Sequence, residues 1–343
     1  MSGKTRQEGY MFLELVHSLL TRIPPEAAHD LGLQLLRLTP RMADLDDEAL
    51  YLDVKFGRLK NPVGLAAGFD KTGRHIASLE RLGFGYMVVG TATMNPRKGL
   101  KKPRIVRRKE EQALVNAMAF PNPGLRKFIQ NISRNNGVKT PVLVSLSDEN
   151  EQNLVKCYAE VQPHAAGVEI NLSSPNTPPL RSYFQPERFK QTAEELRHHK
   201  QKPTYLKIPP PLTRDEQEAV YRAVKIWHDA GFDGITAVNA MLVDEPRVSA
   251  GRGGLSGKPL YRHMLKTVKE VRNMFREEFE IHAVGGIFTG YDVLETLASG
   301  ADTVQIHTAL AYRGPKAVRH IVSELRQAMA ERSLFSLKSL PHL

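Results

Sequence analysis

Asn171 stands at the end of a short apolar run, and a dense polar cluster follows it. Residues 168–172 read VEINL, and residues 173–178 read SSPNTP. A buried strand has no structural need for an amide, and a single loop has no need for so many hydrogen-bonding groups. The two serines and Asn176 are therefore candidates for contacts with a polar ligand.

Other apolar runs of the chain also end in polar or charged residues. Lys207 lies within TYLKI (204–208), and Asn239 directly follows GITAV (234–238). An unpaired buried ammonium is costly, so Lys207 is expected to meet an anion or an electron-rich acceptor. Lys207 could contact a phosphate-bearing flavin, or it could form a Schiff base with a carbonyl substrate. Further candidates at such ends are Gly68, Asp70, Lys71, Thr91, Ser145, Ser147, His307 and Thr308.

Two glycine-rich segments indicate a site for a phosphate group. Residues 253–258 read GGLSGK, and residues 284–290 read VGGIFTG. His307 and Thr308 end the last apolar run. In barrels of parallel strands, backbone N–H groups after the last two strands commonly bind phosphate beside a helix N-terminus. We therefore expect an anion site there.

The elements that must position these residues follow a repeating pattern. Short apolar runs alternate with helix-like segments, at spacings typical of βα units. The runs are 63–67, 86–90, 142–146, 168–172, 204–208, 234–238, 281–284 and 303–306. The helix-like segments are 72–82, 149–161, 186–198, 213–230, 261–277, 289–299 and 314–331. The pattern predicts an α/β protein that folds as a closed (β/α)₈ TIM barrel.

Two connections, 91–125 and 239–260, are longer than the others. Both follow the carboxyl ends of strands, on the barrel face where active sites lie. Long connections at that face usually serve as binding loops or lids. We therefore expect them to cover the polar cluster.

The chain opens with two amphipathic helices, 10–23 and 25–38, before the barrel pattern begins. We predict an N-terminal helical extension at 1–42 and a barrel domain at 43–335. The extension could be a plain cap on the barrel or an apolar vestibule lying on a membrane face. Periodicity alone favours the cap.

Composition narrows the function classes. The chain has 48 Lys and Arg against 37 Asp and Glu, which gives a formal net charge of +11. This excess indicates an anionic partner or a solubilising surface. The single cysteine, Cys157, excludes a disulfide framework and a cysteine zinc site within the chain. We predict no metal site, no transmembrane helix and no signal peptide.

Six segments together resemble the dihydroorotate dehydrogenase family over nearly the whole chain. They are NPVGLAAGFDKTG (61–73), KPRIVRRKEEQALVN (102–116), INLSSPNTPPLRS (170–182), GGLSGKPL (253–260), AVGGIFTG (283–290) and VQIHTAL (304–310). Ser174 stands where the soluble class of this family carries cysteine. This serine and the two N-terminal helices make the chain similar to the membrane-associated, quinone-using class. The resemblance therefore favours the vestibule over the plain cap.

The resemblance implies an enzyme that binds FMN and oxidises dihydroorotate to orotate in pyrimidine biosynthesis. The implied FMN-binding residues are Ala66, Ala67, Gly68, Thr91, Ser145, Asn171, Lys207, Ser256, Gly257, Gly285, Gly286, His307 and Thr308. The implied substrate-binding residues are Lys71, Asn116, Asn171, Asn176 and Asn239. Lys71 would pair with the substrate carboxylate. Ser174 would remove the C5 proton while a hydride passes from C6 to flavin N5.

The same resemblance implies a quinone acceptor that enters between the N-terminal helices, with His29 and Arg107 as its contacts. It implies peripheral contact with the cytoplasmic face of the inner membrane, or a cytoplasmic protein. We expect no nucleic-acid partner. The tRNA dihydrouridine synthases are also FMN barrels, but they use a catalytic cysteine in a loop, and Cys157 lies in a helix-like segment.

Several residues depart from the family pattern around the expected ligands. Ser145 and Ser147 stand where an asparagine and a glycine are usual. Asp148, Ala240 and Ala119 stand where a lysine, a hydroxyl residue and a glycine are usual. These changes leave open an alternative, an FMN barrel paralogue acting on another dihydropyrimidine-like or enoate compound. A flavin-binding protein without catalytic activity is a further alternative.

Overall fold

The computed structural model describes residues 16–38, 46–135, 137–275 and 278–340. The strands are β1 (Leu52–Val54), β2 (Gly57–Leu59), β3 (Val63–Leu65), β4 (Tyr86–Ala92), β5 (Ile105–Arg108), β6 (Ala113–Asn116), β7 (Val142–Leu146), β8 (Gly167–Asn171), β9 (Thr204–Ile208), β10 (Gly234–Ala237), β11 (Met241–Asp244), β12 (Arg252–Gly257), β13 (Glu280–Val284) and β14 (Thr303–Ile306). The α-helices are α1 (Pro25–Leu35), α2 (Ile76–Glu80), α3 (Leu125–Ser133), α4 (Glu151–Val161), α5 (Pro186–His198), α6 (Arg214–Asp229), α7 (Tyr261–Phe275), α8 (Gly290–Ala298), α9 (Thr308–Arg313) and α10 (Ala317–Glu331).

Eight of these strands close into a parallel barrel, in the order β10-β13-β14-β3-β4-β7-β8-β9. Each of the eight predicted apolar runs is one of these strands, so the predicted TIM barrel is confirmed. The strands are covered on both faces, which is why they lack polar alternation. In β4, for example, every residue is buried.

Helices lie between the barrel strands, and each predicted helix-like segment contains at least one of them. The helix α3 has no counterpart among the predictions. Its apolar residues Leu125, Phe128 and Ile132 are buried on one face. The helix has only nine residues, and such a short segment carries a weak periodic signal next to a long irregular connection.

The two long connections form a second sheet rather than loops. Strands β11, β12, β6 and β5 pair in that order in a four-stranded sheet, and all three pairings are antiparallel. The expectation that GGLSGK lies in a loop is therefore wrong, because its glycines belong to β12. In the register, Gly254 lies opposite Asn116 and Ser256 lies opposite Leu114. The sequence of β12 shows no alternation of apolar and polar residues, because its glycines have no side chains.

The N-terminal extension contacts the barrel through both apolar and polar groups. Residues 16–20 are helical, whereas residues 10–15 of the predicted first helix lie outside the described residues. The predicted helix 25–38 is confirmed as α1 followed by a 3₁₀ turn. Its exposed face includes Leu31, whereas Leu33 and Leu36 belong to the main hydrophobic core.

Two arginines near β5 hold this extension in place. Arg107 donates to the backbone oxygens of Ile23 at 2.7 Å and Leu20 at 3.2 Å. Arg104 forms an ion pair with Glu26 at 2.6 Å. Within the described residues, no helix is long and apolar enough to cross a membrane.

Close packing of α8 on α10 gives a test of the fold. A Cβ at Gly290 would lie 2.0 Å from the backbone nitrogen of Leu325, which cannot move away without displacing α10. We expect Gly290→Ala to lower the free energy of unfolding by about 3 kcal/mol, measured by urea denaturation. In Gly32→Ala the new Cβ meets only Leu20 Cδ1, at 3.5 Å, among the described residues. This control should leave stability unchanged or slightly higher, and equal stability of the two variants would contradict the packing argument.

Candidate active site

A single cavity connects the mouth of the barrel with the N-terminal extension. Its volume is about 330 Å³, within the size range of small-molecule sites. The candidates Asp70, Ser145, Ser147 and Ser173 do not line it, whereas all the other sequence-predicted site residues do. The residues that line it are His29, Ala66, Ala67, Gly68, Lys71, Thr91, Arg107, Asn116, Asn171, Ser174, Asn176, Lys207, Asn239, Ser256, Gly257, Gly285, Gly286, His307 and Thr308. Because the carboxyl ends of parallel strands meet at one face, residues far apart in sequence converge here.

The amides at the strand ends form a chain of hydrogen bonds across the floor of the cavity. Asn239 Nδ2 donates to Asn171 Oδ1 at 3.1 Å. Asn171 Nδ2 donates to Thr91 Oγ1 at 3.2 Å, and that hydroxyl lies 3.0 Å from Ser145 Oγ. Ser145 therefore acts on the cavity only through Thr91. The chain fixes the orientation of the amide groups that a ligand would meet.

A second pair of amides lies beside Ser174. Asn176 Nδ2 donates to Asn116 Oδ1 at 3.1 Å, and Asn116 Nδ2 donates to the Gly254 oxygen at 3.3 Å. Ser174 is 8% exposed, and its hydroxyl accepts a long hydrogen bond of 3.4 Å from the Asn176 N–H. Among the described residues, no carboxylate or imidazole contacts the Ser174 hydroxyl. Its proton chemistry therefore depends on the dryness of the pocket.

Lys207 is buried with a carboxylate that the sequence reasoning missed. Lys207 Nζ lies 3.6 Å from Glu169 Oε1, and the two side chains are 6% and 0% exposed. At 3.6 Å this contact is an ion pair rather than a hydrogen bond, and neither oxygen of Glu169 accepts a hydrogen bond within the described chain. The lysine lines the cavity and the glutamate lies behind it. A glutamate within an apolar run was the available signal, because a buried charge requires a partner.

Lys71 and His29, which both line the cavity, contact each other. Lys71 Nζ lies 3.3 Å from His29 Nε2. Burial lowers the pKa of Lys71 to about 8. Burial also lowers the pKa of His29 well below its usual value, and the charge of Lys71 adds to this shift. The ring of His29 is thus a neutral acceptor for the ammonium of Lys71. The predicted substrate contact and the predicted quinone contact are in this way direct neighbours.

The glycine-rich segments meet two hydroxyl groups on the far side of the cavity. Ser256 Oγ lies 2.9 Å from Thr308 Oγ1. Gly286 has a φ of +74°, and a Cβ there would lie 2.8 Å from the backbone of Tyr261. Gly257 has a φ of +105° and equally close backbone neighbours. Only glycine allows the chain to pass here, which leaves backbone and hydroxyl groups facing the cavity.

Two polar groups in this region have no protein partner in the described residues. Gln305, which lines the cavity, is 1% exposed, and both atoms of its side-chain amide lack a hydrogen bond. Thr177 Oγ1, three residues after Ser174, is likewise buried and unpaired. The sequence reasoning missed both residues. Gln305 could have been found, because a polar residue within the apolar run 303–306 needs a partner.

Comparisons with known proteins identify the family. The family model for dihydroorotate dehydrogenase matches residues 50–329. The chain belongs to the dihydroorotate dehydrogenase family.

The chain is 33% identical to a dihydroorotate dehydrogenase (quinone) of Shewanella sp. (strain MR-4), over 92% of this chain and 99% of that protein. It is 35% identical to the protein of the same name from Stutzerimonas stutzeri (strain A1501), over 91% and 97%. The crystal structure of DHODH in complex with ferulenol from Eimeria tenella has a TM-score of 0.83 at 27% identity, covering 92% of this chain and 94% of that one. The expected oxidoreductase of this family is thereby confirmed.

The family is flavin-dependent, and the residues at the barrel mouth fit such a group. Lys207 offers an ammonium 3.6 Å from its carboxylate partner, and Gln305 offers an amide with no hydrogen-bond partner among the described residues. Within the described part of the chain, a Cβ at Gly68, where φ is +95°, would meet only His307 Nε2 at 3.8 Å. The backbone there borders open space that a flat ring could occupy. These unpaired groups suit the polar edge of a heteroaromatic ring.

The residues that depart from the family pattern have local roles. Asp148 accepts hydrogen bonds from the Met94 and Asn150 N–H groups at 3.2 and 3.1 Å, so it holds two loops together. Ser147 is buried, and its hydroxyl has no partner in the described part of the chain. Ala119 has a φ of +53°, the left-handed conformation that glycine adopts more easily. Ala119 thus has a backbone conformation typical of the glycine that is usual at this position.

Burial of His307 predicts a loss of stability in acid. Burial, with Lys71 and then Lys207, lowers the pKa of His307 to about 4, against about 6.5 in an unfolded chain. Between these values only the unfolded state takes up the proton. The stabilisation is therefore complete above pH 6.5 and is lost as the pH falls to 4, by about 3 kcal/mol.

The measurement is urea denaturation between pH 4 and pH 7. His307→Tyr should flatten the pH dependence relative to the unmodified protein. His263→Gln, at an exposed position, should not change it. An unchanged slope in His307→Tyr would show that another group causes the loss.

Proposed function

We propose that the protein oxidises dihydroorotate to orotate with FMN as cofactor and passes the electrons to a quinone. One observation carries this proposal. The cavity that holds Lys71, Ser174 and the amide groups also holds Lys207 and the glycine segments, and it extends to His29 in the N-terminal extension. The names of the bacterial relatives support the same substrate and acceptor.

The proposed cofactor position follows from the fit of the unpaired groups. Lys207, Gln305 and Asn171 would meet the polar edge of the ring, and Ser256 and Thr308 would meet the phosphate. The remaining proposed cofactor contacts are Ala66, Ala67, Gly68, Thr91, Ser145 (through Thr91), Gly257, Gly285, Gly286 and His307. Bound FMN would supply two-electron chemistry, accepting a hydride and giving up the electrons to an acceptor.

Substrate recognition is assigned to one cation and four amides. Dihydroorotate carries one carboxylate and a ring edge with alternating N–H and C=O groups. The ammonium of Lys71 would hold the carboxylate. Asn116, Asn171, Asn176 and Asn239 would match the ring edge, since an amide both donates and accepts. Ser174 would take the proton from the substrate carbon, in a pocket from which bound ligands exclude water.

The N-terminal extension is proposed to receive the quinone and to touch the membrane. We assign residues 1–42 to this extension and residues 43–335 to the FMN-binding barrel. His29 reaches the cavity and is the proposed quinone contact. Arg107, which also lines the cavity, is the second proposed quinone contact, and it holds the extension by donating to two of its backbone oxygens. The exposed side chains of Leu19 and Leu31 suit peripheral contact with the cytoplasmic face of the inner membrane.

Anaerobic mixing of the FMN-loaded protein with dihydroorotate tests the reaction itself. The yellow flavin absorbance should bleach, and Ser174→Ala should slow this step by about 10²–10⁴-fold, the usual contribution of a general base. Ser299→Ala is the matched control, because this buried serine donates its hydroxyl to the backbone oxygen of Glu295 at 2.7 Å and does not line the cavity. A flavin that stays yellow with dihydroorotate but bleaches with another dihydropyrimidine or enoate would favour the paralogue alternative.

The lowered pKa of Lys71 predicts an alkaline limit on substrate capture. Only the ammonium form pairs with a carboxylate, and its pKa in the free protein is about 8. We expect kcat/KM for dihydroorotate to fall about tenfold per pH unit above pH 8. In Lys71→Arg the side chain stays charged, so the decline should move beyond pH 10. Lys101→Arg, an exposed control, should keep the decline at pH 8. A decline at pH 8 in Lys71→Arg would exclude Lys71 as its cause.

A further inference from the structure

Glu169 lies in the barrel interior, one layer below the floor of the cavity. In the strand register it is opposite Ser145 of β7 and Tyr205 of β9, whereas Asn171 is opposite Lys207. Side chains two residues apart on a strand share a face. Since Asn171 lines the cavity at the barrel mouth, Glu169 points into the same interior at a deeper level.

The surroundings of this carboxylate contain one close cation. Lys207 Nζ lies 3.6 Å from Oε1, and no other lysine, arginine or histidine of the described chain lies within 4.0 Å. Neither oxygen accepts a hydrogen bond, although the side chain is fully buried. A buried carboxylate without hydrogen bonds is costly to keep ionised unless a cation compensates it. The ion pair with Lys207 supplies that compensation.

Glu169 can affect a ligand in the cavity because Lys207 lies between the two. Lys207 lines the cavity, and Glu169 lies behind it, away from the cavity. In a poorly screened interior, two opposite charges so close largely cancel each other at a distance. A ring bound beside Lys207 therefore meets an ion pair rather than an uncompensated ammonium.

We propose that Glu169 is a positioning residue that moderates the charge of Lys207 and thereby lowers the electron affinity of the bound flavin. This inference rests on the proposed flavin site. An uncompensated ammonium would stabilise negative charge on the reduced ring and hold the electrons there. With Glu169 behind Lys207, the ring receives electrons less readily and gives them up more readily to an acceptor.

The test measures the flavin directly in the FMN-loaded protein. Sulfite adds through its sulfur lone pair to N5 of an oxidised flavin, which bleaches the yellow absorbance and leaves negative charge on the ring. Its dissociation constant therefore reports nearby positive charge. We expect Glu169→Gln to tighten sulfite binding roughly tenfold and to make the midpoint potential, measured against a reference dye, more positive.

Three further variants distinguish the effect of the Glu169 charge from the effect of its packing. Glu169→Met removes the charge at similar volume and should shift both readouts in the same direction as Glu169→Gln. Glu169→Asp keeps the carboxylate and should stay nearer to the unmodified protein. Glu280→Gln is the control, because this buried carboxylate accepts from the Tyr205 hydroxyl at 2.6 Å and is not within 4.0 Å of Lys207.

The proposal is overturned if, in both Glu169→Gln and Glu169→Met, the sulfite dissociation constant stays within twofold of the unmodified value and the midpoint potential does not become more positive. It is also overturned if neither variant retains FMN, since the role of Glu169 would then be structural. Neither assay contains dihydroorotate. If dihydroorotate does not bleach the flavin but the Glu169 variants change sulfite affinity and midpoint potential, the proposed substrate is refuted and the role of Glu169 is supported. If dihydroorotate bleaches the flavin but the Glu169 variants leave sulfite affinity and midpoint potential unchanged, the proposed substrate is supported and the role of Glu169 is refuted.

Discussion

The site depends on the burial of two ammonium groups in one partly closed cavity. Lys71 and Lys207 both line it, and the protein gives them different partners. Lys207 has a carboxylate behind it, whereas among the described residues Lys71 has only the ring of His29 in hydrogen-bond reach. Burial of positive charge also explains why the pKa values of Lys71, His29 and His307 are all lowered. Such a cavity favours ligands that bring negative charge.

The barrel could be predicted from the sequence because its signal is repeated and physical. Strands such as β4, buried on both faces, must be apolar throughout, and helices between them must be apolar on one side. The second sheet gave no such signal. Its strand β12 reads RGGLSG, and glycine marks neither a strand nor a face. The short helix α3 was missed for a similar reason, since few residues define its period.

The site was predictable mainly where polar residues lie at or just after the ends of strands. Asn171 ends β8 and Thr308 follows β14, so the topology alone brings them to one face. Lys207, one residue before the end of β9, was found by its charge. Glu169 and Gln305 lie inside apolar runs, and their importance depends on which atoms remain unpaired after folding. The contact between Lys71 and His29 needed the docking of the extension on the barrel. No pattern along the chain specifies that docking.

The second sheet connects the parts of the site mechanically. Its strand β5 carries Arg107, which binds the extension, and its strand β6 ends at Asn116 beside Asn176. Its strand β12 carries Ser256, next to Thr308. Hydrogen bonds along β5, β6 and β12 join these three contacts in one continuous sheet. A shift of the extension would therefore move the amide and the hydroxyl together, because a sheet resists internal shear more than separate loops would. Residues proposed for the acceptor, the substrate and the phosphate are thus held in a fixed relation by one element.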